Sequence, residues 1–157
     1  MLDKVEKVFY NPKKNKTMEQ IEGLTYLEAY LSQQEADALW AAVYAEVWLG
    51  DLKRRVQHYG YKYDYKARNI DASMRIGDLP DWVAPLCQRL VKDGYFSEMP
   101  DQLIINEYLP GQGISPHIDC VPCFGDTIVS VSLGTSYQMD FFQPKYQTKS
   151  ACIFSCE

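Results

Sequence analysis

The chain has 157 residues and a formal net charge of −5; 46% of it is hydrophobic and 13% aromatic. That is enough apolar material for one folded domain of 1–157, and it excludes a disordered chain and a general nucleic-acid coat, though not a local basic surface. No apolar run could cross a bilayer, the N-terminus lacks the apolar segment of a signal peptide, and five cysteines do not suit a closed disulfide framework, so a soluble, monomeric protein in a reducing intracellular compartment, cytoplasmic or nuclear, is expected.

Residues 1–22 read as a loose polar lead-in, and "GLTYLEAYL" as a short strand. A helix is predicted from Ser32, because "SQQE" is a capping box in which Glu35 can return a hydrogen bond to the cap. Leu39, Trp40, Val43 and Val47 follow at helical spacing and read as core. The period then changes. Tyr59, Tyr61, Tyr63 and Tyr65 alternate, so in a strand they share one face. Between Asp51 and Asn69 lie Lys53, Arg54, Arg55, Lys62, Lys66 and Arg68, opposed only by Asp51 and Asp64, a local charge of +4. Cations interleaved with rings suit phosphate contact plus base stacking. The same spacing also suits a hairpin with a tyrosine core face and a solvated lysine face.

A second helix is predicted over "PDWVAPLCQRLVKDG", with Pro80 near its first turn, Pro85 early or at a bend, Cys87 buried and Gly94 as terminator. After Gly94 the pattern becomes short strands separated by turn signals. "QLIINEY" leads through "PGQG" to "ISPHID"; the loop "CVPCFGD" follows, then "TIVSVSL", the turn "GT" and "SYQMDFF". Such a series suggests a sandwich or jelly roll.

The stretch with most chemical content is "GQGISPHIDC". His117 and Asp119 are two apart, so on a strand they point to the same side. An imidazole and a carboxylate converging in this way suit iron(II) oxygenases, which commonly use two histidines and one carboxylate. Cys120-x2-Cys123 together with Cys152-x3-Cys156 gives a second metal reading, a small structural zinc site.

"INEYLPGQGISPHID", then "FGDTIVSVSLG", then a Y-x-M-x-F strand, resembles the AlkB-like family of Fe(II)- and 2-oxoglutarate-dependent dioxygenases. "RRVQHYGYKYDY" is similar to the nucleotide-recognition lid of some members, and the likeness runs from Leu24 to Phe141. The resemblance implies an α+β fold: a double-stranded β-helix, or jelly roll, over 102–157, with N-terminal helices and a β-hairpin lid at 51–69. It implies Fe(II), 2-oxoglutarate and O2 as cofactor and cosubstrates, with His117 and Asp119 as metal ligands. Asn106 and Tyr108 would hydrogen-bond 2-oxoglutarate, and Arg54, Arg55, Tyr61 and Tyr63 would contact substrate. The implied reaction is oxidative demethylation of N-alkylated nucleobases in single-stranded DNA or RNA.

The family takes a third ligand from a distal histidine, followed by a pair of arginines that hold 2-oxoglutarate. Here no histidine follows His117 and no arginine follows Arg89. His58, Cys120, Cys123 and Asp126 are the alternative donors. A jelly roll incomplete at its C-terminus is expected, from a truncated or frameshifted member, with a nucleic-acid-binding remnant lacking catalysis as the alternative function.

Overall fold

The computed structural model of the chain describes residues 23–50, 52–64, 70–120, 123–135, 139–142 and 153–156. The lead-in at 1–22 and the expected lid residues Tyr65, Lys66 and Arg68 lie outside them, as does Cys152. Helix α1 spans Gln33–Ala45, and its start is the capping box read in the sequence. The Ser32 backbone N–H donates to Glu35 Oε2 at 2.7 Å, and Ser32 Oγ accepts from the Glu35 N–H at 3.3 Å. The helix stops at Ala45, so Val47, expected on its apolar stripe, lies beyond its end and is 82% exposed; Val43 is buried.

Helix α2 spans Ala84–Lys92, preceded by a 3-10 turn at Asp81–Val83. Pro85 sits in its first turn, where a missing N–H costs no helical bond. Gly94 follows the helix at φ +82, the left-handed conformation that stops it. The two helices are joined at their ends. Arg89 Nη1 donates to Glu35 Oε1 at 2.8 Å and covers the Tyr30 ring at 4.6 Å, while the Tyr30 hydroxyl donates to Asp93 at 2.7 Å. Cys87 and Leu90 bury the inner face of α2.

Five strands are present among the described residues, in two antiparallel sheets. Strand β1 (Arg55–Tyr59) pairs with β2 (Leu103–Glu107), matching Arg55 with Glu107 and Val56 with Asn106. Strand β3 (Ile114–His117) and β4 (Met139–Phe142) lie on either side of β5 (Ile153–Cys156), with His117 opposite Phe154 and Phe141 opposite the same residue. The described strands are thus antiparallel, as expected, but fall short of the roughly eight of a complete jelly roll.

Three elements differ from the sequence reading. "GLTYLEAYL" is not a strand: Ala29 has φ 52, which breaks an extended run, and Tyr26 and Leu27 are exposed. "TIVSVSL" has the alternation of a strand but forms no ladder among the described residues, and Ile128 and Val131 are exposed. Alternation alone cannot hold an extended conformation, which needs a ladder to pair its backbone groups. The described part of the stretch expected as a hairpin lid is divided instead. Its first half is β1, part of the sheet, and Gly60 at φ +78 turns the chain out of that strand. Tyr59, Tyr61 and Tyr63 therefore do not share one face of a single strand. Tyr59 stays in β1, Tyr61 forms a bridge with Arg75, and Tyr63 is farther on.

An aromatic column binds α1 to β1. Trp40 stacks on Tyr44 at 4.8 Å, and Tyr44 meets Trp48 edge-on at 5.7 Å. Gly134, in the "SVSLG" segment, lies against Trp40, where an added Cβ would come within 2.9 Å of the ring. Val56 and Gln57 are the most buried side chains, and Gln57 Nε2 donates to the Val43 carbonyl at 2.8 Å.

Candidate active site

His117 is the last residue of β3, and Asp119 lies two residues beyond it. Their side chains converge as the spacing requires: His117 Nε2 is 3.4 Å from Asp119 Oδ1, each side chain one third exposed. His117 Nδ1 lies 2.8 Å from the Ser115 carbonyl oxygen. A carbonyl can only accept, so Nδ1 carries the proton, and in the neutral ring Nε2 holds the lone pair. Two ligands bound side by side at about 2.1 Å in an octahedron stand about 3 Å apart. The pair therefore fits two adjacent positions of a ferrous site. Among the described residues no group of three or more His, Cys, Asp and Glu side chains could hold a metal. None of His58, Cys120, Cys123 and Asp126 thus completes the pair.

Asn106 on β2 and Tyr108 just past it also face one side, and a single side chain shows it. Arg54 Nε donates to Asn106 Oδ1 at 2.7 Å, and the Arg54 guanidinium carbon lies 5.7 Å from the centre of the Tyr108 ring. Arg54, expected at the nucleic acid, therefore stands with the residues expected at 2-oxoglutarate. The turn from β2 to β3 is sewn down beside it. Gln112 Nε2 donates to the Lys53 carbonyl at 2.9 Å, and Gln112 Oε1 accepts from the Leu109 N–H at 2.9 Å.

Arg55, expected at the substrate, is placed otherwise. Its Nη2 donates to Glu107 Oε1 at 2.7 Å, its Nε pairs with the second carboxylate oxygen, and its guanidinium covers the Trp48 ring at 4.7 Å. The Tyr44 hydroxyl also donates to Glu107. This fork joins β1 to β2 by a bidentate ion pair. The Arg55 hydrogen bonds hold the Glu107 carboxyl below the usual carboxylate range, against a smaller opposing effect of burial. Burial, followed by the hydrogen bond to Glu107, raises the Tyr44 hydroxyl.

The depressed Glu107 sets the sign of a pH effect. A carboxylate whose folded pKa lies below its ordinary value near 4.5 stabilises the fold above that pH. That contribution is lost as pH falls through the folded value. Thermal melts from pH 7 downward are expected to show Glu107→Gln less stable than the parent at pH 7, with the two curves approaching below pH 4.5. A constant gap across that range would place the effect elsewhere.

Tyr61 lines two cavities, of about 330 and 250 Å³, so the surface around it is concave. Its carbonyl accepts from Gln102 Nε2 at 3.2 Å. The Tyr63 ring lies 5.8 Å from Phe124, a contact that ties the tyrosine segment to the loop after Asp119. Within that loop Cys120 and Cys123 are joined as a disulfide, against the expectation of reduced cysteines or zinc thiolates. The physical reason is proximity: the Cys123 N–H donates to the Cys120 carbonyl at 2.8 Å and the Cα atoms stand 5.2 Å apart, within disulfide reach. Cys87 is buried and outside any disulfide, as expected.

Residues 23–155 match the family described as the 2OG-Fe(II) oxygenase superfamily. The chain belongs to that superfamily, among its AlkB-like members. An "Alkylated DNA repair protein ALKBH8 homolog" of Arabidopsis thaliana is 41% identical over 142 residues, covering 87% of this chain and 41% of the relative. The "tRNA (carboxymethyluridine(34)-5-O)-methyltransferase ALKBH8" of Mus musculus is 38% identical over 134 residues, covering 78% of this chain and 20% of the relative. The "Probable RNA/DNA demethylase ALKBH6" of Danio rerio is 28% identical over 128 residues, covering 79% and 52%. The chain thus spans less than half of the length of the first two. Members of this superfamily are dioxygenases that use Fe(II), 2-oxoglutarate and O2. Among the described residues, no helix is long and apolar enough to cross a membrane.

Proposed function

We propose that the chain is the catalytic domain, or the metal-proximal part of one, of a dioxygenase that oxidises an alkyl group on a nucleobase, RNA being favoured by the tRNA-directed name of its mouse relative. The carrying observation is the imidazole–carboxylate pair, with 3.4 Å between His117 Nε2 and Asp119 Oδ1. His117 and Asp119 would hold the ferrous ion, and Asn106, Tyr108 and Arg54 would hold 2-oxoglutarate, Arg54 supplying positive charge for a carboxylate. Bound iron supplies the redox centre at which 2-oxoglutarate loses CO2 to become succinate while O2 is reduced. In an N-methyl substrate one oxygen atom enters the C–H bond, and the resulting hydroxymethyl amine releases formaldehyde.

The protein's own part is positioning. The Nδ1 bond to Ser115 turns the lone pair of His117 toward Asp119. The concave surface at Tyr61 and the ring of Tyr63 receive a base taken out of its stack, with Lys62 between them for phosphate. Arg55 keeps β1 on β2 and does not reach the nucleic acid.

The test is succinate release by the chain with ferrous ion, ascorbate and 2-oxoglutarate, using N-methylated RNA and DNA oligonucleotides as separate arms. Stimulation by methylated over unmethylated RNA is expected. Binding without turnover is the second reading, favoured because no third donor joins the pair among the described residues. In that case the oligonucleotides bind, affinity falls steeply with salt, and no succinate forms. Neither binding nor turnover in any arm removes both readings.

A further inference from the structure

We propose that Cys120 and Cys123 are a reversible redox pair, closed by peroxide, whose disulfide ties Cys120, next to Asp119, to Cys123, next to Phe124 and its partner ring Tyr63. Cys120 is 8% exposed and directly follows Asp119. Cys123 is less buried and lines the cavity of about 250 Å³ shared with Tyr61, Asp71 and Gln102, so an oxidant of peroxide size can reach it. Phe124 comes next and touches the Tyr63 ring. The Cys120–Cys123 link therefore stands between a metal-ligand candidate on one side and a base-contact candidate on the other.

The geometry suits a switch better than a permanent staple. The sulfurs close a loop with a sequence separation of only 3, which stabilises the fold little against its unfolded state. The backbone bond from Cys123 to Cys120 does not involve the sulfurs, so their reduction does not itself break it. The C-x-x-C spacing is itself that of many thiol–disulfide couples.

The step balances with hydrogen peroxide as oxidant. The Cys123 sulfur attacks one oxygen, the O–O bond breaks, and the other oxygen leaves as water. The Cys120 sulfur then attacks the Cys123 sulfenic acid, the S–S bond forms, and the hydroxyl leaves as a second water. Two electrons pass from the thiols to peroxide and both thiol protons end in water. A dithiol returns two electrons and two protons and is itself oxidised to a disulfide. The proposal goes beyond the oxygenase reading and depends on it only for the role of Asp119.

The experiment compares the full chain after dithiol reduction with the same chain after mild hydrogen peroxide. Alkylation under denaturing conditions, followed by mass mapping, is expected to show Cys120 and Cys123 lost together and recovered by dithiol. Amide exchange across 117–126 is expected to slow by about threefold or more in the oxidised form. Cys123→Ser should abolish both changes, while the wild-type comparison stands without any variant. Oxidation that joins other cysteines, that stops at Cys123 sulfinic acid with Cys120 still alkylatable, or that leaves exchange unchanged overturns the proposal. A parallel Mn(II) titration reads the metal assignment separately, so failure of one is not mistaken for failure of the other.

Discussion

Asp119→Ala is expected to weaken binding of Mn(II), the oxygen-stable stand-in for ferrous ion, by about 100-fold or more, because a carboxylate ligand is lost outright. The side chain is one third exposed, so its removal leaves no buried hole, and the melting temperature should barely move. His117→Ala should behave alike. Electron paramagnetic resonance of free Mn(II) gives the affinity and circular dichroism the fold. Equal Mn(II) affinity in the folded variant and the parent would remove the metal assignment, and with it the dioxygenase reading of this chain.

Gly60→Ala is expected to be the most damaging single substitution to stability. Two separate costs add. The residue sits at φ +78, which costs an alanine about 1–2 kcal/mol. Its Cβ would also stand 1.7 Å from the Asp101 carbonyl oxygen and 2.8 Å from the carbonyl carbon, both backbone atoms that cannot swing aside. Overpacking of that kind costs about 1–3 kcal/mol more, so a loss of about 3 kcal/mol is expected in urea unfolding. Gly111→Ala is the control: φ is +81 but nothing lies within 4 Å of the added carbon, so only the conformational cost remains. Equal losses in the two variants would show that the contact with Asp101 does not matter.

Features of the sequence that act locally were legible. Ser32 and Glu35 cap α1 because the capping box needs only its own four residues. Gly94 ends α2 by its own backbone conformation. His117 and Asp119 converge because their spacing acts within one short extended segment. What depends on partners distant in the chain was not legible. The alternating tyrosines looked like one strand, but Gly60 turns where Asp101 packs against it, some forty residues away in sequence. The alternation of "TIVSVSL" names a strand only if a neighbour supplies the ladder. Arg54 and Arg55 are adjacent and chemically identical, so nothing in the sequence separates the one beside Asn106 from the one locked to Glu107.

The placement of β5 between β3 and β4 has a consequence for biosynthesis. His117 faces Phe154 across the ladder, so the strand carrying the candidate ligand waits for roughly forty further residues to leave the ribosome before it gains that neighbour. Until then its hydrogen-bonding edge is bare in a nascent chain, and a chaperone that shields such edges would have its most consequential moment in that interval.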